Sequence, residues 1–265
     1  MIRRRRFLLS LLLGCLLVAA PALAQPAGPV DLELALLVDV SGSISAAEYN
    51  LQKTGYVNAF TNPALWNAIS QGAIGKIAVA YIEWSGSTQQ STLVNWTIID
   101  SQASALAFSA AIQASTRAFS GQTGVGAALT FGTNSILQNG ITSTRQILDI
   151  SGDGCNNSGA EASVGRAFAL ANGIDVINGL VIQPNNACEH PNYATLLPYY
   201  QNEVITANGF VQVANDFADF EAALDAKLIK EIQGTVPEPI SMVLMGTGLA
   251  GIGAMRRRRR KRNED

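Results

Sequence analysis

The sequence predicts an α/β fold: a doubly wound, mostly parallel sheet with helices on both faces and one antiparallel edge strand. Three observations predict it. Strand-like and helix-like segments alternate through the middle of the chain, the order that covers both faces of a parallel sheet. Leu32 to Val38 is an apolar run broken only by Glu33, as in a central strand buried on both sides. Ile77 to Trp84 is joined through Ser85-Gly86-Ser87 to the Thr-, Val- and Trp-containing segment Gln90 to Ile98, and so tight a connection makes that pair antiparallel.

The other elements follow in order. Ala46 to Phe60 reads as a helix, with Ser45 as its N-cap and Glu48 completing a capping box. Ser104 to Phe119 and Val125 to Gln138 read as helices separated by Ser120-Gly121-Gln122-Thr123-Gly124. Arg145 to Ile150 is the next buried strand and leads to Gly152-Asp153-Gly154. Glu161 to Asn172 is a helix, Asp175 to Ile182 a strand, Phe210 to Val213 a short last strand, and Phe217 to Ile232 a closing amphipathic helix. Gln183 to Asn202 is the longest irregular stretch and holds the single histidine, His190, which marks a functional or mobile loop.

Targeting segments flank this one domain. Residues 1–24 carry arginines at positions 3 to 6, an apolar run from Phe7 to Ala20, and Pro21-Ala22-Leu23-Ala24. That is the anatomy of a secretory signal cleaved after Ala24, with an uncleaved anchor as the alternative. In residues 236–265, Pro237-Glu238-Pro239 precedes the apolar stretch Ile240 to Met255 and a basic cluster from Arg256 to Arg262. Such a stretch reads as a transmembrane helix with its arginines in the cytoplasm. Together the three parts resemble the PEP-CTERM sorting signal of Gram-negative bacteria. The resemblance implies exosortase cleavage near Pro-Glu-Pro and release from an inner-membrane intermediate to the cell surface or an exopolysaccharide matrix. The alternative is a plain anchor holding the domain in the periplasm.

Between the two signals, residues 25–235 hold seven Lys and Arg against seventeen Asp and Glu, a net charge of −10. An acidic domain argues against nucleic acid as a partner and fits cation binding. Cys15 lies in the N-terminal signal. Cys155 and Cys188 remain, and an oxidising compartment would join them in a single disulfide; two buried thiols are the alternative.

The chemistry concentrates in Asp39-Val40-Ser41-Gly42-Ser43, where a buried strand gives way to a helix. In open parallel sheets, ligands bind outside the carboxyl ends of the strands. Alternate residues there bring one carboxylate and two hydroxyls toward a common point, hard oxygen ligands suited to Mg²⁺, Mn²⁺ or Ca²⁺. Two further loops leave the same edge with oxygen donors, Thr123 and Asp153, each between glycines.

This pattern resembles the metal-ion-dependent adhesion site of von Willebrand factor A-type (vWA) domains, a Rossmann-like fold, over roughly Leu32 to Ile232. The resemblance implies that Ser41 and Ser43 hold the metal directly. Thr123 holds it in the ligand-occupied state, and Asp39 and Asp153 act largely through water. The sixth position is left for a partner's carboxylate. Gly152 departs from the family, where many relatives carry Thr. In this fold the strand before Cys188 neighbours the one before Cys155, so the disulfide would pin the long loop beside the metal site, stabilising the domain by about 4 kcal/mol.

Enzyme signatures are missing: no Gly-x-Ser-x-Gly elbow, no His-Glu-x-x-His and no P-loop. His190, beside Glu189, reads as a solvated loop residue. Trp66, Trp84 and Trp96 read as core or edge-packing residues, the last two as candidate cross-strand neighbours. Asp149, Asp175 and Arg145 read as structural polar groups at strand ends. The expectation is a non-enzymatic, metal-dependent binding module for an acidic protein or polysaccharide. A matrix protein with an inert cation site and a metal-assisted hydrolase are the alternatives.

Overall fold

In the computed structural model, which describes residues 28–183 and 185–234, six strands form one sheet in the order β3-β2-β1-β4-β5-β8. These are β1 (Leu32–Asp39), β2 (Ile77–Trp84), β3 (Gln90–Ile99), β4 (Gln146–Gly152), β5 (Val176–Ile182) and β8 (Val211–Ala214). Every pairing is parallel except β2 with β3, as the short connection between them dictates. The remaining strands, β6 (Ala187–His190) and β7 (Tyr193–Thr195), form a separate hairpin.

β1 is central and wholly buried. Because side chains alternate across a strand, Leu32, Leu34, Leu36 and Val38 enter one core while Ala35 and Leu37 enter the other. The first core lies under α1 (Ala46–Thr61), α2 (Pro63–Ser70), α3 (Gln102–Ala114) and α7 (Phe220–Gln233). The second lies under α4 (Val125–Gln138), α5 (Ala162–Ala171) and the single turn α6 (Leu196–Tyr199), which runs into a π-helical turn over Tyr200–Val204.

Local chemistry sets the helix ends. Ser45 accepts from Glu48 N–H at 3.3 Å, while the Glu48 side chain accepts from Ser45 N–H at 2.8 Å, the expected capping box. α2 was not expected, although Asn62-Pro63 announces it: Asn62 Oδ1 accepts from Ala64 N–H at 2.9 Å and proline occupies the first turn. α3 stops at Ala114, short of the expected Phe119, because Ser115 is extended and the residues after it are held elsewhere, Arg117 by the loop after β1 and Ala118 by Glu83. Gln183 to Asn202, expected to be irregular, instead supplies β6, β7, α6 and the start of the π-turn.

Glu33, the one polar residue of the β1 run, is fully buried. It accepts hydrogen bonds from Asn139 and Ser143, both at 2.6 Å. Arg145 sits at the amino end of β4 and donates to the carbonyls of Glu231 and Ile232, both at 2.9 Å, closing the carboxyl end of α7. Asp175 accepts from Gln146 N–H at 2.8 Å, as a strand-end carboxylate should. Asp149 does not behave this way. It lies inside β4, wholly buried, and pairs with Lys227, which also reaches Glu231 at 2.6 Å. Trp84 is fully buried opposite Gln90, so it and Trp96 are not cross-strand neighbours.

Burial first, and then the Asp149 charge, push the Glu231 carboxyl up to about 8, against the pull of Lys227. A carboxyl whose folded value exceeds its unfolded one holds a proton that the unfolded chain has released. Its contribution to stability is therefore present below the unfolded value and is lost as pH rises toward 8. Glu231→Gln removes this loss. Thermal melts from pH 5 to pH 9 should show the variant's melting temperature gaining steadily on the wild type, and a pH-independent difference would contradict the assignment.

Candidate metal centre

All five residues singled out in the sequence converge at the carboxyl edge of the sheet. Asp39 ends β1 with 0% exposure, and its Oδ1 accepts from Ser41 N–H at 2.8 Å. The Ser41 and Ser43 hydroxyls are hydrogen-bonded to each other at 3.1 Å, and Ser43 donates to Asp153 Oδ1 at 2.7 Å. Thr123 and Asp153, 5% and 6% exposed, share one cleft with the exposed Ser43. A Cβ added to Gly154 would lie 3.5 Å from Thr123 Oγ1, so the two loops abut.

Several residues that the sequence reading passed over build this edge. Arg117, expected within a helix, lies beyond it and donates to the carbonyls of Val40, Ser41 and Ile44, each at 2.9 Å. Its guanidinium also lies 5.4 Å from the centre of the Tyr49 ring. Glu83 holds the same segment by accepting from Tyr49 Oη at 2.9 Å and Ala118 N–H at 2.8 Å. Ser85 accepts from Gly121 N–H and donates to the Gln122 carbonyl, while Asn157 Oδ1 accepts from Thr123 N–H. Gln52 donates to the Asp39 carbonyl, and Gly42 N–H to that of Gly121. The signal for Arg117 was a lone guanidinium between two loops of candidate ligands.

The electrostatics are those of two carboxylates held together out of water. Burial, followed by the Asp153 charge, pushes Asp39 up to about 8, with Ser41 opposing. Burial also raises Asp153, and the Glu48 charge adds to this, while the Ser43 hydroxyl lowers it. Asp39 Oδ2 has no hydrogen-bond partner among the described residues. An unmatched buried oxygen beside a second carboxylate and three hydroxyls is the donor chemistry of a hard divalent cation. No group of three or more His, Cys, Asp or Glu suited to an ion occurs among the described residues.

The cleft has a volume of about 320 Å³, and its far wall includes Asn156, Asn157, Asn186 and Glu189. The Cys155–Cys188 disulfide, with its Cα atoms 5.4 Å apart, ties that wall to the Asp153 loop. Asn186 donates to the Asp153 carbonyl at 3.2 Å. His190 is not solvated as expected: it stacks against Tyr193 and Tyr199, with ring centres 5.1 and 5.4 Å away.

This sheet order is that of the vWA-type fold. The fold matches proximal thread matrix protein 1 from the mussel byssus (TM-score 0.55, 17% identity, 78% of this chain and 47% of that one). It also matches the pilus adhesin SpaC of Lactobacillus rhamnosus GG (0.54, 18%, 78% and 31%) and a von Willebrand factor type A protein from Catenulispora acidiphila (0.52, 16%, 77% and 43%). The chain thus spans less than half of each of these structures. It belongs to the family described as "Protein of unknown function (DUF1194)", which it matches over residues 29–236, and it carries a PEP-CTERM protein-sorting motif over residues 235–260. No match is found among curated proteins. Pro237, Glu238 and Pro239 fall in that motif, but like residues 1–24 and the expected transmembrane helix they lie outside the described residues. Among the described residues no helix is long and apolar enough to cross a membrane.

Two stability measurements check how the edge is built. Reducing the disulfide should cost about 4 kcal/mol and lower the melting temperature by about 10 °C. Arg117→Ala should cost about 3 kcal/mol by stranding three carbonyls, and Arg117→Lys should not fully restore it, because a single ammonium nitrogen cannot take the place of Nη2 on those carbonyls and of Nε on that of Phe119 at once. A melting temperature unmoved by either change would show that the loops are held by other contacts.

Proposed function

We propose that this protein is an exported, non-enzymatic binding module that takes up one divalent cation through Asp39, Ser41, Ser43, Thr123 and Asp153. The cation's open position then grips a carboxylate of an acidic protein or polysaccharide. Mg²⁺ fits best, with Mn²⁺ and Ca²⁺ as alternatives, because the donors are all oxygen and only two are carboxylates. The observation that carries this reading is the chain of contacts from Asp39 through Ser41 and Ser43 to Asp153, with Asp39 Oδ2 buried and unmatched beside it.

Two neighbours support the reading. The mussel matrix protein has also been solved with a zinc-occupied metal-ion-dependent adhesion site, and SpaC is described as a pilus adhesin. Two carboxylates and three hydroxyls leave part of an Mg²⁺ octahedron to water, and a partner's carboxylate can displace one such water. Export follows from removal of residues 1–24 by signal peptidase and from processing at Pro237-Glu238-Pro239 by an exosortase. This delivers the domain to the surface or surrounding matrix of a Gram-negative cell.

Calorimetric titration of Mg²⁺, Mn²⁺ and Ca²⁺ into the purified protein tests this reading. One-to-one binding is expected, and it should weaken by more than about 100-fold in a folded Asp39→Ala, Ser41→Ala double variant. With Mg²⁺ present, glucuronate or an Asp-containing peptide should bind the wild type and bind Thr123→Ala more weakly. If the wild type takes up no cation even with carboxylate present, the metal reading is wrong and a purely structural matrix role replaces it.

A further inference from the structure

Tyr200 opens the π-turn that follows α6 and is wholly buried, with its ring centre 5.9 Å from that of Tyr199. Two glycines in neighbouring strands make room for it. A Cβ on Gly179 of β5 would stand 2.9 Å from Tyr200 Cδ1, and one on Gly152 of β4 would stand 2.5 Å from the Tyr200 hydroxyl. That second point is also 2.9 Å from Asp39 Oδ2. The phenol oxygen and the free oxygen of Asp39 therefore flank one spot at the sheet edge, and among the described residues neither has a hydrogen-bond partner.

As core packing alone, this tyrosine is a poor choice. Phenylalanine would fill the same volume without burying an unmatched hydroxyl, which costs about 1–3 kcal/mol. The missing side chain at Gly152 has the same explanation, since any Cβ there would collide with the Tyr200 hydroxyl and crowd Asp39. Asp39 meanwhile is held at Oδ1 by Ser41 N–H, and its Oδ2 meets no donor among the described residues. A donor at Oδ2 would hold the second oxygen as well.

We propose that Tyr200 is a positioning residue of the metal centre, its hydroxyl acting as the donor to Asp39 Oδ2 in the cation-loaded site and fixing the carboxylate that faces the ion. This rests on the metal reading above. Tyr200 touches neither cation nor ligand; it acts through Asp39, and Gly152 and Gly179 are the space it needs.

The test compares Tyr200→Phe with Tyr81→Phe by calorimetric Mg²⁺ titration and by melting with and without Mg²⁺. Tyr81 is an apt control, because its hydroxyl is equally buried and unpartnered but belongs to the opposite core. Tyr200→Phe should melt at or above the wild-type temperature without metal, yet bind Mg²⁺ about 10- to 100-fold more weakly and gain less from it on melting. Tyr81→Phe should bind Mg²⁺ as the wild type does. Binding by Tyr200→Phe within about twofold of wild type, or an equal loss in both variants, overturns the positioning role and leaves the metal reading standing. Absence of binding by the wild type overturns the metal reading, and this inference with it.

Discussion

Asp39 ends the central strand with no exposed surface, and a buried carboxylate is tolerated only when donors or a counter-charge answer it. Much of the architecture of this edge can be read as that answer. The Ser41 amide satisfies one oxygen, Gln52 holds the carbonyl of Asp39, and Arg117 gathers the loop carbonyls of Val40, Ser41 and Ile44 at one nitrogen. Arg117 is held in turn over Tyr49, which Glu83 fixes from the adjacent strand. A guanidinium that could have neutralised the carboxylate holds the backbone instead, so the loop has a definite shape while Asp39 Oδ2 has no partner among the described residues.

A second buried acidic pair shows the contrast. Asp149 and Glu231 enclose Lys227, and Asn178 donates to Glu231 at 2.9 Å, so that cluster holds a cation of its own, although Asp149 Oδ2 and Glu231 Oε2 have no hydrogen-bond partner among the described residues. Among the described residues no basic side chain pairs with Asp39 or Asp153, and their hydroxyl neighbours open into a cleft. The two pairs are alike in composition. An internal cation is present in the first pair and, among the described residues, absent from the second.

The sequence made the frame readable wherever one residue type has one physical use. An apolar run broken only by Glu33, a Ser and Glu at capping spacing and a short connection between two strand-like segments each admit few structures, and each occurs, the connection running over Ser85 to Gln89. The five oxygen donors were legible because strand ends in a parallel sheet share an edge. Arg117 was not, since an extended segment rich in Ala and Ser looks helical until its long-range carbonyl partners are known. Asp149 was misplaced because a carboxylate in a strand is usually found at its end, and Lys227, the residue that licenses it, lies far along the chain. Tyr200 was hidden for the same reason: its meaning depends on Gly152 and Gly179, and no local pattern joins the three.

The clamp of Arg145 on the last turn of α7 settles which way the domain faces. Gly234, where the described chain ends, lies beside Arg145 at the amino edge of the sheet, and Val30 at the other end of the domain is hydrogen-bonded to Thr142 at that same edge. The cleft lies at the opposite edge, one full strand length away. Gly234 thus lies at the pole opposite the cleft. Under the proposed function, a domain tethered through that end would present its cleft outward, so that attachment and binding would use different surfaces.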